Sequence, residues 1–360
     1  MNSAPNIFIV SSVYQLFNAI NITEQNASFE KTSVIMIELN DNALFSNVVD
    51  IDYLKAKFKD VHIVNIQRPS NRLSKIIYVL RQLLSKSYQK LNDREEADVF
   101  ISGTEIYSKV IAYQLMMKNS NLYYYEDGFG SYNSVLDKMS KKKQDVVFKL
   151  LYNKYPLQKC SGLFVYEPQK VCCNSYGTKI FRIKKINRME SRVIDYKKVY
   201  KGNVITFNKN YIFLNSWFDD LRFYTLQDNL TEITKKIVGE KDLCIKSHPN
   251  EWKKSSTIQG VEVINSKSSF EISNYYQAYN NKIFISVDST ASLSPGLVYG
   301  DQPIVIFLYK IFENEFNCNW GANTTFQVLT SDNPNVYFPD TMEEYKQIIE
   351  GIKRNDDQKN

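Results

Sequence analysis

The stretch Asn6-Ile-Phe-Ile-Val10, followed by Ser11-Ser12 and Tyr14-Gln-Leu-Phe-Asn-Ala-Ile20, decides the fold. A short apolar run bounded by polar residues is typical of a buried strand, and the segment after it has the apolar spacing of a helix. The same order recurs. Strand-like runs lie at 33–37, 61–66, 98–102 and 121–125, with helical patterns at 53–58, 73–91 and 105–117. Strands that alternate with helices predict α/β units around a mostly parallel sheet.

A second alternating series begins after residue 208. Its strand-like runs lie at 211–214, 243–246, 261–264, 282–287 and 304–307, and its helical patterns at 224–238, 270–279, 289–299 and 342–353. The segment 185–208 between the two series is basic, has little apolar periodicity and is expected to connect two domains. We therefore expect an N-terminal Rossmann-like domain (1–190), a C-terminal Rossmann-like domain (205–340) and a terminal helix and tail (341–360), with a cleft between the two domains.

Charge and composition limit the function classes. The 360 residues carry 45 Lys and Arg against 39 Asp and Glu, a net charge of +6. That excess is too small for a dedicated nucleic-acid binder, but it suits anionic substrates or loose contact with an acidic membrane surface. No apolar stretch is long enough to span a membrane, and the apolar run Ile7–Val10 is too short for a signal peptide. We therefore expect a cytoplasmic protein whose five cysteines are free thiols.

The helical pattern at 73–91 is strongly amphipathic. Its basic residues lie on the polar side, and its apolar face carries Leu73, Ile76, Ile77, Leu80, Leu83, Leu84, Tyr88 and Leu91. Such a helix can lie on a membrane surface. More often its apolar stripe packs into its own domain, and packing is the favoured expectation here.

Acidic residues follow two of the predicted strands. Glu126-Asp127-Gly128 follows the run ending at Tyr125, and Asp219 and Asp220 follow the strand 211–214. A carboxylate at a strand end could take a proton from an acceptor hydroxyl. The alternative is an acidic strand-to-loop turn or solvated surface charge. Asp50-Ile-Asp52 matches the short DxD pattern that holds a metal in many glycosyltransferases, but it follows no clear strand and we expect no metal site.

Phosphate-binding candidates lie in the second series. His248, followed by Pro249, ends the strand 243–246 and could donate a proton to a leaving phosphate. Ser289 and Thr290 begin a predicted helix, where hydroxyls and backbone N–H groups can cradle a phosphate or simply cap the helix. Glu271 could accept hydrogen bonds from ribose hydroxyls or complement a helix dipole. No Gly-rich phosphate loop occurs, which argues against P-loop and dinucleotide-binding proteins.

The order of these motifs resembles the bacterial sialyltransferases of glycosyltransferase family 52, the lipooligosaccharide and capsule sialyltransferases. The resemblance spans about residues 7 to 307. It rests on the first strand and turn (7–16) and on four short motifs: Tyr-Glu-Asp-Gly-Phe-Gly at 125–130, Lys-Ser-His-Pro at 246–249, Ser-Phe-Glu at 269–271, and the hydroxyl pair Ser289-Thr290.

The resemblance implies a GT-B-type α/β fold and inverting, metal-independent transfer of sialic acid from CMP-sialic acid to a surface glycan, with galactose as the expected acceptor sugar. Asp127 or Glu126 would be the base, with Asp219 or Asp220 as competitors. His248 in its His-Pro motif would stabilise the departing CMP, Ser289 and Thr290 would hold its phosphate, and Glu271 its ribose. It also implies no cofactor, a homodimer, and peripheral contact with the inner face of the cell membrane.

Three alternatives stay open at the level of sequence. The first is transfer of a neutral hexose from a UDP-sugar by an enzyme of the same fold. The second is a polysialyltransferase, which shares the acidic-Gly and His-Pro motifs and would normally have a more basic groove. The third is a carbohydrate- or nucleotide-binding protein without catalysis.

Overall fold

The computed structural model describes residues 4–39, 44–67, 71–85, 88, 96–102, 106–116, 120–132, 160–172, 177–201, 204–218, 220–248, 258–265, 270–319 and 323–357. The chain divides into two compact units, residues 1–202 and 203–360. Each is built on a parallel sheet with helices between the strands, so the predicted α/β class is confirmed.

The first unit contains a seven-stranded sheet in the order β3-β2-β1-β4-β5-β6-β7, and all of its paired strands are parallel. The strands are β1 (Asn6–Val10), β2 (Thr32–Leu39), β3 (Asp60–Ile66), β4 (Asp98–Ser102), β5 (Asn121–Tyr125), β6 (Cys160–Val165) and β7 (Ile180–Arg182). The α-helices within the described residues are α1 (Val13–Asn26), α2 (Leu44–Val48), α3 (Ile51–Lys55), α4 (Arg72–Ser85), α5 (Ile106–Leu115) and α6 (Tyr196–Val199). Strands β1 and β4 are buried along their whole length, as expected for a parallel sheet covered on both faces.

The second unit contains a six-stranded sheet in the order β10-β9-β8-β11-β12-β13, again with parallel pairs. The strands are β8 (Tyr211–Leu214), β9 (Leu243–Lys246), β10 (Glu262–Ile264), β11 (Ile283–Ser286), β12 (Ile304–Phe307) and β13 (Val336–Tyr337). The helices are α7 (Leu221–Val238), α8 (Phe270–Tyr276), α9 (Tyr309–Phe316), α10 (Asn323–Thr330) and α11 (Met342–Asp357). Counted from β8, the strand order is 3-2-1-4-5-6, that of a Rossmann sheet, and it reverses between β8 and β11.

The predicted connection 185–208 is shorter than expected, because most of it packs into the first unit. Ile186, Ile194, Tyr196 and Val199 are buried, and the backbone N–H of Lys201 donates to the carbonyl of Val48. These four buried side chains are irregularly spaced along the basic segment. The sequence therefore shows no apolar periodicity there. The division between the units falls after residue 202.

The terminal helix α11 belongs to the second unit. The buried hydroxyl groups of Tyr345 and Thr234 on α7 share a hydrogen bond, and the Lys353 ammonium donates to the carbonyl of Ile237 at 2.6 Å. The predicted segment 341–360 is therefore attached to the C-terminal sheet domain along residues 342–357 and forms no separate part of the fold.

Helix α4 departs from its expected packing. One side contacts α5: Val79 is buried, Tyr78 packs edge-on against Tyr107, and the carbonyl of Gln82 accepts a hydrogen bond from Gln114. Three residues of the predicted stripe are exposed, Leu73 67%, Ile77 56% and Leu80 38%. Tyr88 is half-buried, and the side chains of Ile76, Leu83, Leu84 and Leu91 lie outside what the structure describes. The expectation that this stripe packs into its own domain is therefore wrong for these three residues.

The helix predicted at 289–299 is not a regular α-helix. A 3₁₀ helix spans Thr290–Leu293, and a π-helix spans Pro295–Tyr299. Proline has no backbone N–H and clashes with the preceding turn of a helix, so Pro295 prevents one continuous α-helix here.

Candidate functional site

Strand register in the second sheet brings three polar side chains to one level. Leu214 of β8 pairs with Lys246 of β9 and with Ser286 of β11. Two residues beyond these positions lie Ser216, His248 and Asp288. Ser216 and Asp288 lie on either side of the point where the strand order reverses, which is where open α/β sheets bind ligands.

The loops after β8 and β11 are joined directly. The Ser216 hydroxyl donates a hydrogen bond of 2.9 Å to Oδ1 of Asp288. The backbone N–H of Ser216 donates to Oε1 of Gln227, a buried side chain on α7, also at 2.9 Å. Ser216 is therefore fixed from two sides, and it holds the Asp288 carboxylate at the edge of the sheet.

His248 is half-buried next to this pair. Its burial, and then the positive charge of Lys246, lower the pKa of the imidazole, whereas the Asp288 carboxylate acts to raise it. The imidazole is therefore held neutral near pH 7, in the field of a carboxylate that stabilises its protonated form. An anion bound here would act on the pKa of His248 in the same direction as the Asp288 carboxylate and raise it. The protonated imidazole could then balance negative charge that develops in the site.

Lys246 is the buried charge of this cluster. It is 7% exposed, and its ammonium donates to the carbonyl of Ser247 at 3.4 Å. Burial lowers the pKa of Lys246, and the negative charge of Glu271 raises it. Glu271 lies in the first turn of α8. Glu271, the predicted partner of the ribose hydroxyls, is therefore close enough to Lys246 for its charge to affect the pKa of the lysine.

Ser289 and Thr290 follow Asp288 directly, so the structure brings this pair to the same edge of the second sheet as His248, although to a different strand. The side chain of Ser289 makes no capping hydrogen bond, and its backbone N–H donates to Oγ of Ser286 at 3.3 Å. Thr290 is exposed. Ordinary helix capping is thus not the role of the Ser289 hydroxyl.

Two carboxylates follow β8, and one of them, Asp220, lies within the described residues. Asp219 lies outside the described residues, as does Pro249. Asp220 caps α7 by accepting a hydrogen bond from the backbone N–H of Arg222 at 2.9 Å. The hydrogen bonds from Arg222 also lower the pKa of Asp220, whose carboxylate lies 2.7 Å from the guanidinium. Asp220 is thus engaged in a local cap and ion pair.

In the first unit, Glu126 follows β5 and is fully buried. Its carboxylate accepts hydrogen bonds from the hydroxyl of Tyr132, from the backbone N–H of Tyr166 at 2.9 Å and from the hydroxyl of Tyr14 at 3.3 Å. Burial raises the pKa of Glu126 to about 7, against the lowering effect of these hydrogen bonds. Glu126 therefore links α1, β5 and β6 from inside the domain.

Asp127, the next residue, is exposed. Its Oδ2 accepts a hydrogen bond of 2.9 Å from the amide nitrogen of Gln15 on α1, and the oxygen of that amide accepts from the backbone N–H of Ser11 at 2.6 Å. Gly128 has φ 82°, a conformation that glycine adopts without strain, and it turns the chain directly after the carboxylate. Of the two neighbouring acids, Asp127 is the one that is exposed to solvent.

Sequence reasoning missed the residues that orient these groups. Gln15, Tyr132 and Ser216 are separated from their carboxylate partners by 112, 6 and 72 positions. No short motif contains both members of the first and third pairs. A usable signal did exist for Ser216, because it stands two residues after its strand, as His248 and Asp288 do.

Both carboxylates of the DxD match, Asp50 and Asp52, have partners three residues further along the chain. The Asp50 carboxylate caps α3 by accepting from the backbone N–H of Tyr53 at 2.9 Å, and Asp52 lies 4.0 Å from Lys55 on the surface. Within the described part of the chain, no three His, Cys, Asp or Glu side chains are grouped so that they could hold a metal ion.

Comparison with known proteins gives structural matches only. No protein-family model and no curated sequence matches the chain. The chain is similar to the UDP-GlcNAc 2-epimerase of Methanocaldococcus jannaschii, with 12% identity, a TM-score of 0.53 and coverage of 97% of this chain and 92% of the epimerase. It is similar to Arabidopsis thaliana UGT89C1, solved with quercetin, with 9% identity, a TM-score of 0.55 and coverage of 98% and 91%. A third similar structure is the spinosyn rhamnosyltransferase SpnG, with 8% identity, a TM-score of 0.50 and coverage of 98% and 91%.

The fold is GT-B. At such low identities the likeness shows the fold alone, and it confirms the predicted GT-B-type arrangement of two Rossmann-like α/β domains. Among the helices in the described ranges, none combines the length and the apolar character needed to cross a bilayer.

Proposed function

We propose that the chain is an inverting glycosyltransferase that moves sialic acid from CMP-sialic acid to a hydroxyl of a bacterial surface glycan. The observation that carries this proposal is the cluster at the carboxyl ends of β8, β9 and β11. There one half-buried imidazole, His248, lies in the field of Asp288 and Lys246, and Ser289 and Thr290 follow Asp288 directly in the chain. Of the similar solved structures, one is named as a UDP-GlcNAc 2-epimerase and another as a rhamnosyltransferase, which supports glycosyl transfer from a nucleotide-linked donor.

The cluster suits a phosphomonoester leaving group. When the bond between the anomeric carbon and the phosphate oxygen breaks, CMP departs with added negative charge. One cationic or protonated partner can balance that charge, and the neutral His248 becomes such a partner when a bound anion raises its pKa. Hydroxyl donors from Ser289 and Thr290 would complete the contacts to the phosphate, and Glu271 would accept from the ribose.

The acceptor needs a single base. As its oxygen forms the new bond to the opposite face of the anomeric carbon, its proton passes to a carboxylate. Asp127 has the properties this step requires: it is accessible, and Gln15 fixes one of its oxygens. Glu126 is buried under three hydrogen bonds and is better suited to hold the loop that carries Asp127. Asp219 remains the competing base in the second unit.

A UDP-sugar donor is the rival that matters most for experiment, because one of the similar structures is an epimerase named for a UDP-sugar, UDP-GlcNAc. A polysialyltransferase and a binding protein without catalysis are the other two. CMP release from CMP-sialic acid and UDP release from UDP-glucose, each measured with a galactoside acceptor, together separate all of them. Simple transfer adds one sialic acid to each acceptor, polysialyl transfer adds several, and a binding protein releases no CMP.

The experiment compares wild type with His248→Ala and uses His62→Ala as the matched histidine control. His62 lies on β3 in the other unit. We expect His248→Ala to lower turnover at least about 100-fold, as for the loss of a general acid, and His62→Ala to leave it near wild type. Near-normal CMP release by His248→Ala would contradict the role given to His248.

A further inference from the structure

The π-helix Pro295–Tyr299 lies a few residues after the hydroxyl pair Ser289-Thr290. Its last turn is closed by a hydrogen bond of 3.2 Å from the backbone N–H of Gly300 to the carbonyl of Gly296. π-helices are rare, and single turns of this kind occur often at functional sites. The position of this turn directly after the predicted phosphate contacts therefore points to a role in the donor site.

The last residue of the π-helix, Tyr299, contacts the first turn of α8. Its hydroxyl donates a hydrogen bond of 2.6 Å to the backbone carbonyl of Glu271. Tyr299 is 8% exposed, and the centroid of its ring lies 6.4 Å from that of Tyr275, also on α8. The buried hydroxyl therefore fixes the backbone of Glu271 against the π-helix.

The residues after the π-helix hold the other end of α8. Oδ2 of Asp301, a buried side chain, accepts a hydrogen bond of 2.9 Å from the backbone N–H of Tyr279, in the loop that follows α8. The backbone N–H of Gln302 donates to Oδ1 of Asn280 in the same loop at 2.8 Å. One stretch of four residues, 299–302, thus contacts α8 at its start and the loop at its end.

Glu271 belongs to the charged cluster of the candidate site. Its negative charge raises the pKa of Lys246, and the positive charge of Lys246 in turn lowers the pKa of His248. In the proposed function, Glu271 binds the ribose and the pair Ser289-Thr290 binds the phosphate. Both contacts are made to one nucleotide, so they act together only if the protein fixes the distance between them.

We propose that Tyr299 is a positioning residue, which holds Glu271 in register with Ser289 and Thr290 and so makes the donor site select ribose over deoxyribose. This inference rests on the ribose contact of Glu271 in the proposed function. Tyr299 acts through the Glu271 backbone and requires no contact with the donor. The selection applies to any ribonucleotide donor, because CMP and UDP carry the same sugar.

The test is isothermal titration of the full chain with CMP, 2′-deoxy-CMP and 3′-deoxy-CMP. We expect wild type to bind at least one deoxy form about tenfold or more weakly than CMP, as for the loss of a hydrogen bond to a charged group. Glu271→Ala should remove this difference. Tyr299→Phe, which keeps the ring and loses the hydroxyl, should reduce the ratio of the two affinities at least about threefold, because the carboxylate is no longer fixed.

The matched control is Tyr345→Phe. It removes another buried hydroxyl of the second unit, which shares a hydrogen bond with Thr234, and it should keep the wild-type ratio. The double variant Glu271→Ala/Tyr299→Phe should show the same ratio as Glu271→Ala, because residues that act as a unit are not additive. A general loss of structure would instead weaken the binding of all three nucleotides alike.

The outcomes separate this inference from the proposed function. A wild-type ratio retained in Tyr299→Phe would overturn the role of Tyr299 and leave CMP as the donor nucleotide. Equal binding of CMP and both deoxy forms by wild type would overturn it as well, because no ribose contact would exist. Binding of UDP without binding of CMP would contradict the proposed donor, and the ratios for UDP and its deoxy forms would then support or overturn the role of Tyr299 by the same criteria.

Discussion

The hydroxyl of Ser216 donates a 2.9 Å hydrogen bond to the carboxylate of Asp288, and so joins the loops after β8 and β11. These two strands flank the position where the order of the second sheet reverses. The Asp288 carboxylate acts to raise the pKa of His248, the only histidine in this unit. The pair Ser216 and Asp288 therefore holds a carboxylate where it favours the protonated form of His248.

Asp288→Asn should lower the pKa of His248 further below its usual value. The substitution removes the negative charge that opposes the effects of burial and of Lys246, while the amide oxygen can still accept from Ser216. The chain has only two histidines, so proton NMR titration resolves His248 once His62→Gln identifies the other signal. Asp242→Asn, an exposed change of the same charge, is the control, and an unchanged His248 pKa in Asp288→Asn would contradict the coupling.

Lys246→Met should shift the pKa of His248 the other way, upward, because it removes a neighbouring positive charge. Since the ammonium is buried, an apolar side chain of similar length should leave the thermal midpoint unchanged or higher. The proposed phosphate site lies at this cluster, so the loss of the positive charge of Lys246 should also raise the KM for CMP-sialic acid about tenfold.

The matched control for Lys246 is Lys282→Met. Lys282 is a partly buried lysine in the same sheet, and its ammonium donates to the carbonyl of Lys209 at 2.7 Å. Its loss should leave the KM for the donor near wild type. Equal changes of KM in both variants would show that Lys246 acts through the fold and not through the donor.

Asp127→Asn should lower turnover about 100-fold and leave CMP binding intact, as for the loss of a base that acts on the acceptor. Gln15→Leu, which removes the hydrogen bond to Oδ2, should lower turnover by a smaller factor of about ten. The readouts are CMP release for turnover and a thermal shift for CMP binding. If Asp127→Asn keeps full activity, the role of base passes to Asp219.

The raised pKa of Glu126 should make the stability of the first unit depend on pH. Its pKa is about 7 in the folded protein and lies near 4.3 in an unfolded chain, so the folded state holds a proton that the unfolded state has lost between these values. The free energy of unfolding therefore falls as the pH rises from about 4.3 to 7, by up to about 4 kcal/mol. Glu126→Gln cannot titrate and should lack this fall.

Denaturant titrations at a series of pH values would measure this difference. Glu30→Gln, at an exposed carboxylate, is the control and should keep the wild-type pH dependence. A wild-type profile that is as flat as that of Glu126→Gln would show that the Glu126 carboxylate is not destabilised by its burial.

The sequence predicts strands well where an apolar run is continuous and has polar residues at both ends. The bounds of β4, β5, β8, β9 and β12 are those expected, and each of these strands is wholly or mostly buried. Strands β6 and β7 gave no such signal. Half of Cys160–Val165 is small or polar, and Ile180–Arg182 is a three-residue edge strand with two exposed side chains.

The sequence could not predict the exposed stripe of α4 or the Ser216–Asp288 hydrogen bond, and the reason is a different one. Periodicity shows that a helix has an apolar face but not whether a partner covers it, and here the contacts of Tyr78 and Val79 with α5 decide the orientation. A hydrogen bond between residues 72 positions apart depends on which strands become neighbours. Such features follow from tertiary structure.

The most direct test of the account is donor binding by thermal shift, with CMP, CMP-sialic acid, UDP and UDP-glucose measured side by side without added metal. A ligand that binds only the folded state, at about 100 times its dissociation constant, stabilises it by about 2.7 kcal/mol. We expect CMP and CMP-sialic acid to raise the melting temperature and the uridine compounds to leave it unchanged. The increase caused by CMP and CMP-sialic acid should be smaller in Lys246→Met. Stabilisation by UDP and UDP-glucose alone would contradict sialyl transfer and identify a hexosyl donor.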